Sequence, residues 1–318
     1  MAMNESQAPS LAEKLQSLPK QVIYGILLVT CTVPLFFSVK LPNKPIDASI
    51  DFYGQTMKLP DNGRVIICSD WTNSTRGESK GEMEVLLKLL MRKHIKFVLM
   101  SIGDVQAPQV AKDTIREVNA LEKLTGGTPY KEFEDYVNLG YFAAGEGTIL
   151  AVNNKILSIA QGKKDFPEGA GPKDALQSPV FQGVKSVEDF NMFYLVTASS
   201  TNRTVLERIT KCPLMFMVSG VMVPENNSYY AAKQLKGLCG GVKGVYDLET
   251  LMENGINNGS DSVESDLYRG EKIPGWPGKG NTGKGTAYYL ALHFALALLI
   301  IAVIVGNVGM LLSKKGSK

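Results

Sequence analysis

The strongest constraint on how this chain folds is an apolar run near its C-terminus, AYYLALHFALALLIIAVIVGNVGMLLS, at residues 287–313. The run contains no charged residue and is longer than the ~20 residues with which an α-helix crosses the hydrocarbon core of a bilayer. Two tyrosines stand at one end and lysines follow the other end, which suits the two membrane–water interfaces. The run therefore predicts a transmembrane helix at residues 286–313 and a basic tail at residues 314–318.

A second uncharged apolar run, VIYGILLVTCTVPLFFSV, occupies residues 22–39. A signal peptide is the alternative interpretation. An uncleaved anchor is favoured, because the polar tail at residues 1–21 is long and KLPNKP is not a small-residue cleavage site.

Two spans would place both termini on the same side of a membrane. The numbers of lysines near the span ends are nearly equal on the two sides, so the positive-inside rule does not decide the orientation. We expect cytoplasmic termini and an extracytoplasmic domain, because long loops cross largely regardless of their charge.

Between the two runs, residues 40–254 alternate apolar strand-like segments with amphipathic helical segments. Four of the strand-like segments are GRVIICSD (63–70), IKFVLMSIGD (95–104), NMFYLVTAS (191–199) and CPLMFMVSGVM (212–222). Apolar strands that alternate with helices are typical of parallel strands covered on both faces. The predicted fold is α/β, with a mostly parallel, doubly wound (Rossmann-like) sheet. Residues 255–285 are rich in glycine and proline and are predicted to form a flexible tether.

Polar residues follow several of the predicted strands. In an open α/β sheet, ligands bind beyond the carboxyl ends of the strands, so Asp70, Asn73, Ser199 and Asn202 are candidate ligand-binding residues. No GxGxxG follows the first strand, and the chain contains neither GxxxxGK[ST] nor GxSxG. We therefore predict no catalytic residue and no cofactor.

Metal and nucleic-acid sites are also not predicted. Asp70 with Glu78, Glu82 or Asp104 could hold magnesium or calcium, but an acidic residue at a strand end is frequent without a metal. The four cysteines form no CxxC pair, which argues against zinc or redox chemistry. The formal net charge of +3 and the absence of a basic stripe argue against nucleic acid.

The stretch QLKGLCGGVKGVYDLE at residues 234–249 carries glycines at a spacing of three, one and three. These are Gly237, Gly240, Gly241 and Gly244. The spacing matches one face of an α-helix, although each glycine inside a helix costs roughly 1 kcal/mol relative to alanine. A ligand loop is the alternative. Because the flanking residues favour a helix and no strand directly precedes the stretch, we predict a helix whose smooth face lies against another helix or another subunit.

A second helix-packing contact is predicted in the C-terminal apolar run, at Gly306, Asn307 and Gly309. Small residues let two membrane helices approach closely, and an amide can form a hydrogen bond across their contact. Interfacial solvation of Asn307 and His293 is the alternative.

Four segments together resemble a family of uncharacterised prokaryotic membrane proteins. They are YVNLGY (136–141), GVKSVEDFNMFYLVTA (183–198), VSGVMVPENNSYYAAKQLKGLCGGVKGVYDLETLM (218–252) and IVGNVG (304–309). The resemblance covers most of residues 50–312. It implies an N-terminal anchor helix, a Rossmann-like α/β domain and a C-terminal transmembrane helix in a prokaryotic cell membrane. It implies no activity.

These observations lead to two main hypotheses. The first is a structural or assembly component of a membrane protein complex, built as a homo-oligomer or with other membrane subunits. The second is a membrane-tethered ligand-binding domain or enzyme that uses the strand-end residues. A third hypothesis is a transporter accessory subunit that contacts its partner through His293 and Asn307.

Overall fold

The computed structural model describes residues 19–37, 39–257 and 265–316. Residues Pro42–Gly285 form one compact unit, called here the α/β unit. The segments that precede and follow it, Met1–Leu41 and Thr286–Lys318, group as a second unit.

The α/β unit is built on a parallel sheet. The described strands are β1 Arg64–Asp70, β2 Lys96–Ser101, β3 Tyr136–Tyr141, β4 Lys164–Asp165, β5 Lys173–Asp174, β6 Met192–Thr197, β7 Leu214–Val218 and β8 Gly237–Gly240. Six of them form one sheet in the order β3-β2-β1-β6-β7-β8, and every neighbouring pair is parallel. The strands β4 and β5 form a separate antiparallel pair. The predicted parallel, Rossmann-like α/β fold is thereby confirmed.

Helices of the α/β unit flank this sheet. The described α-helices are α1 Lys20–Thr32, α2 Asp47–Met57, α3 Arg76–Arg92, α4 Ala107–Leu124, α5 Glu146–Ala160, α6 Thr201–Arg208, α7 Val223–Ala231, α8 Gly241–Asn254 and α9 Lys284–Gly316. Of these, α1 and most of α9 belong to the second unit. Short 3-10 helices lie at Val33–Phe36, Asn73–Thr75, Ala175–Gln177, Val187–Asp189, Gly220–Met222 and Asp266–Tyr268.

Both faces of the sheet are buried, as continuous apolar strands require. Along β1, Val65 and Ile67 belong to one core, which also contains apolar residues of α2, α3, α4 and α8. Ile66 and Cys68 belong to the opposite core, which contains apolar residues of α5 and α6. This alternation follows from the two-residue period of a strand.

The glycine stretch is not one helix. Residues Gly237–Gly240 form the edge strand β8, and helix α8 begins only at Gly241. Gly241 has φ +54°, a left-handed conformation that favours glycine, and it makes the turn from strand to helix. The prediction of a continuous helix is therefore wrong before Gly241, because a four-residue strand is too short to show its own period in the sequence.

The groups that approach these glycines belong to the α/β unit itself. A Cβ on Gly237 would lie 2.5 Å from Cα of Phe52 in α2, and one on Gly244 would lie 2.9 Å from Sγ of Cys239. A Cβ on Gly240 would collide with Val223, and one on Gly241 would lie 3.0 Å from the backbone of Gly220. Other groups do approach these glycines closely, as predicted, but those groups belong to the α/β unit and not to another subunit. Gly237, Gly241 and Gly244 are buried inside the unit.

The predicted flexible tether at residues 255–285 is, in its described part, packed on the unit. Ile256 pairs with Ile273 in an antiparallel bridge, and Gly285 N donates to Glu249 Oε1 at 2.9 Å. Its glycines serve close contacts as well, because a Cβ on Gly285 would lie 2.6 Å from the backbone nitrogen of Tyr246. Composition alone could not separate glycine used for flexibility from glycine used for close packing.

One helix in the described part of the chain is long and apolar enough to cross a membrane, namely residues Lys284–Leu312 within α9. The N-terminal apolar segment is shorter. Helix α1 ends at Thr32, and the chain continues as a 3-10 helix that contains Pro34. Proline has no N–H to donate to the preceding turn, which explains why the α-helical hydrogen bonds stop there. The described residues thus support one of the two predicted spans.

Candidate functional site

The strand order reverses between β1 and β6. From β1 the sheet continues through β2 to β3 on one side, and from β6 through β7 to β8 on the other. In such a sheet, the connections that follow the two central strands run in opposite directions and leave a crevice beyond their carboxyl ends. We call this place the switch-point crevice. It is flanked by residues 71–75 after β1 and residues 198–200 after β6.

Hydroxyl groups line the β6 side of the crevice. Thr197, the last residue of β6, is buried and donates from Oγ1 to the carbonyl oxygen of Asp70 at 3.2 Å. The same Oγ1 lies 3.1 Å from Ser199 Oγ and 3.0 Å from Thr201 Oγ1. These hydroxyls bond to one another across the start of α6, so they form a preorganised polar surface.

On the β1 side, a capping box fixes the loop. Thr72 and Thr75 exchange hydrogen bonds around the 3-10 turn Asn73–Thr75, and Thr72 N donates to Thr75 Oγ1 at 3.2 Å. Thr72 Oγ1 also lies 2.8 Å from Ser74 Oγ. Asn73 and Ser74 are exposed, and α3 begins directly afterwards at Arg76. The N-terminus of a helix attracts negative charge, because its first N–H groups have no partner within the helix.

Asp70 is buried and has a structural role in this arrangement. Its Oδ1 accepts hydrogen bonds from Ser101 Oγ at 2.7 Å, Ile102 N at 2.8 Å and Gly103 N at 3.0 Å. The carboxylate therefore joins the end of β1 to the end of β2. Burial, with a smaller contribution from Asp70, raises the pKa of the Cys68 thiol well above its ordinary value.

Asn202 is also buried. Its Nδ2 donates to Asn226 Oδ1 at 3.3 Å, and Asn226 Nδ2 in turn donates to Met222 O at 2.9 Å. The pair braces α6 against α7. Of the four candidate residues, Asn73 and Ser199 are exposed at the crevice, whereas Asp70 and Asn202 support it from within.

Two carboxyl groups near the crevice have roles that sequence reasoning missed. Glu78 Oε2 accepts from Gly220 N at 2.7 Å, and Glu82 Oε1 accepts from Gly241 N at 3.1 Å. Both glutamates lie on α3, one turn apart. The sequence indicated both glutamates only as candidate metal ligands, whereas in the structure they accept hydrogen bonds from backbone N–H groups.

Glu82 is fully buried, and its Oε2 has no hydrogen-bond partner. Burial and, secondly, the Glu78 carboxylate raise the pKa of Glu82 well above its ordinary value, while the Gly241 N–H opposes the shift. Among the described residues, no group of three or more His, Cys, Asp or Glu side chains is arranged to hold a metal ion.

Comparison with known protein families, curated proteins and solved structures finds no match to this chain. The fold and the crevice themselves define the class, which is a Rossmann-like α/β protein whose chain also carries one helix long enough to span a membrane. The resemblance to a prokaryotic membrane family stays a prediction.

Proposed function

We propose that this protein is a membrane-anchored α/β domain that binds a small polar ligand in the switch-point crevice. The observation that carries the proposal is the reversal of strand order between β1 and β6, at an edge lined by hydroxyl groups. Open α/β sheets bind ligands at this place because helix N-termini from both sides point toward it.

The groups at the crevice favour an anionic ligand. The exposed Asn73, Ser74 and Ser199, the first turn of α3 and the exposed Arg76 all supply hydrogen-bond donors or positive charge. The neighbouring carboxylates are already engaged, Asp70 by three donors and Glu78 by Gly220. A phosphorylated or carboxylated small molecule fits this set of donors.

Thermal unfolding of the full chain in detergent, followed by tryptophan fluorescence, tests this function. The two tryptophans, Trp71 and Trp276, both lie in the α/β unit, so the signal reports on that unit. The probes are inorganic phosphate, ATP, NAD⁺ and magnesium chloride. We expect at least one anionic probe to raise the Tm.

The stabilisation should disappear in the double variant Asn73→Ala with Ser199→Ala. The variant Ser228→Ala, at an exposed serine of α7, is the matched control and should keep it. If no probe raises the Tm, or if the double variant responds like the wild type, the crevice is not the binding site.

For the membrane arrangement, we propose that α9 and the N-terminal apolar segment both span a prokaryotic cell membrane. The termini would be cytoplasmic and the α/β unit extracytoplasmic. Maleimide labelling of intact cells tests this with Lys318→Cys and Asp189→Cys. We expect labelling at the exposed position 189 and protection at position 318. The reverse labelling pattern would indicate extracytoplasmic termini and a cytoplasmic α/β unit. Labelling at both positions would argue against two spans.

Assembly with other membrane proteins is a second candidate function, favoured by α9. A Cβ on Gly306 would meet no atom within 4 Å, and the neighbouring Asn307 is exposed among mostly apolar residues of α9. An amide facing lipid is unfavourable, so we propose that a second copy of α9 or another membrane helix covers this place. His293 is less suited to such a contact, because its Nδ1 lies 2.8 Å from the carbonyl oxygen of Tyr289 on its own helix.

Oligomeric state in native membranes tests the assembly proposal. The double variant Gly306→Leu with Asn307→Leu should shift the chain to a smaller species after crosslinking. The variant Val303→Leu, on the same helix, is the control. An unchanged species in the double variant would contradict the proposal.

A further inference from the structure

A cavity of about 450 Å³ lies along the outer edge of β3, the edge strand of the sheet and two strands away from the switch-point crevice. Its walls come from β3, the first turns of α4 and residues 162–166, which include β4. The side chains that matter here are Lys112, Asn138, Tyr141, Lys163, Lys164 and Phe166.

The edge of β3 is closed to another strand at this place. Asp165 Oδ2 accepts the hydrogen bond of Asn138 N at 3.2 Å, and Asn138 Oδ1 accepts that of Gly140 N at 2.9 Å. Side chains thus occupy the outward N–H groups, which is one way in which proteins protect an edge strand. The cavity beside this edge is therefore suited to a small molecule rather than to an added strand.

The charge on the cavity wall is positive. Lys164 is exposed, and Lys163 is half-buried with its Nζ 4.0 Å from the centre of the Phe142 ring. Asp165, the carboxylate of the same wall, is buried, and it accepts from Asn138 N and Phe166 N. Lys112 is already paired with Glu132, at 2.6 Å. The positive charges at this wall that are not in an ion pair named here are Lys164 and Lys163, and the ammonium of Lys163 also lies over the Phe142 ring.

Phe166 is a large apolar side chain that is 62% exposed at this cavity. Its backbone is held on both sides, since Phe166 N donates to Asp165 Oδ1 at 2.8 Å and Lys112 Nζ donates to Phe166 O at 2.8 Å. An exposed ring on a fixed backbone offers an apolar surface for a second ring. Two glycines, Gly140 and Gly162, add open space, because a Cβ on either would meet no atom within 4 Å.

We propose that this cavity, called here the β3-edge cavity, is a second binding site for a small anion that carries an aromatic ring. The anionic group lies between Lys163 and Lys164, and the ring lies against Phe166. The anion is a phosphate or a carboxylate. This site is independent of the proposed ligand of the switch-point crevice.

Isothermal titration calorimetry on the full chain in detergent tests the site. The probes are AMP and benzoate, each of which carries both an anionic group and an aromatic ring. Inorganic phosphate carries only the anionic group, and adenosine carries only the ring. We expect AMP or benzoate to bind more tightly than phosphate or adenosine. A preference between AMP and benzoate identifies the anionic group.

Two variants locate the binding. Lys164→Gln removes a charge-assisted hydrogen bond and should weaken the ringed anion about tenfold. Phe166→Ser should weaken it about fivefold while leaving the affinity for phosphate unchanged. Lys173→Gln on β5 and Leu124→Ser, at an exposed leucine that ends α4, are the matched controls and should bind like the wild type.

The proposal is overturned if neither ringed anion binds, or if binding survives both cavity variants. It is also overturned if the controls lose as much affinity as the cavity variants. Binding that is lost in Asn73→Ala with Ser199→Ala, but kept in Lys164→Gln, would belong to the switch-point crevice.

Discussion

Replacing Glu82 with glutamine tests how a buried carboxyl group makes the stability of the α/β unit depend on pH. The carboxyl group of Glu82 is fully buried on α3, where Oε1 accepts from Gly241 N at 3.1 Å and Oε2 has no partner. Burial raises its pKa well above the ordinary value of 4.5, and the Glu78 carboxylate adds to the shift. As the pH rises, the folded chain therefore releases this proton at a higher pH than the unfolded chain.

The sign and size of the effect follow from proton linkage. Below pH 4.5 both states are protonated, and Glu82 contributes nothing to the pH dependence. As the pH rises above that value, the unfolded chain ionises first, so the free energy of unfolding falls by about 1.36 kcal/mol per pH unit until the folded group also ionises. The loss between pH 5 and pH 7 reaches at most about 2.6 kcal/mol, which is its size when the folded group stays protonated throughout that range.

Glutamine has nearly the shape of glutamic acid and keeps an oxygen for the Gly241 N–H, but it does not ionise. The stability gained by Glu82→Gln over the wild type should therefore increase between pH 5 and pH 7, by up to about 2.6 kcal/mol. The assay is denaturant unfolding of the full chain in detergent, followed by tryptophan fluorescence at both pH values. Other titrating groups cancel, since they are common to the two chains.

The matched control is Glu207→Gln, at an exposed glutamate of α6, which should show no such change with pH. An equal gain in stability for Glu82→Gln at pH 5 and at pH 7 would contradict the raised pKa of the buried carboxyl group. That result would mean that Glu82 titrates alike in the folded and unfolded chains.

Three further substitutions test the packing. Gly237→Ala places a Cβ 2.5 Å from Cα of Phe52 and should lower the free energy of unfolding by about 2 kcal/mol or more, whereas Gly77→Ala, with no atom within 4 Å, should raise it by up to about 1 kcal/mol. Asp70→Ala leaves the Ser101, Ile102 and Gly103 donors without their acceptor and should cost about 3 kcal/mol in the same unfolding assay. Asp247→Ala removes the buried carboxylate that accepts from Asn43 Nδ2 at 3.0 Å and Ile46 N at 3.2 Å, so residues 42–46 should become more sensitive to limited proteolysis. A Gly237 variant as stable as the wild type, or no change in proteolysis for Asp247→Ala, would contradict the corresponding contact.

Several features could be predicted from the sequence because they depend on local pattern. The C-terminal apolar run has no charge over a membrane-spanning length, and α9 contains a helix of that character. The apolar runs at residues 63–70 and 191–199 contain β1 and β6, since strands buried on both faces need continuous apolar residues. Asn73 and Ser199 could also be placed at the crevice from the sequence, because residues that directly follow central parallel strands lie at one edge of the sheet.

The tertiary structure decided what depends on residues that are distant in the chain. The spacing of Gly237, Gly240, Gly241 and Gly244 fits a helix face, yet the strand β8 forms because Met215 and Phe216 of β7 pair with Gly237 and Leu238. Gly237 lies against Phe52 of the same chain and not against a partner, and Phe52 is far from it in the sequence. Likewise, the burial of Asp70, Glu82 and Asn202 depends on which loops and helices cover them. Pattern along the chain records local preference and burial, whereas a contact between remote segments is a property of the packed unit alone.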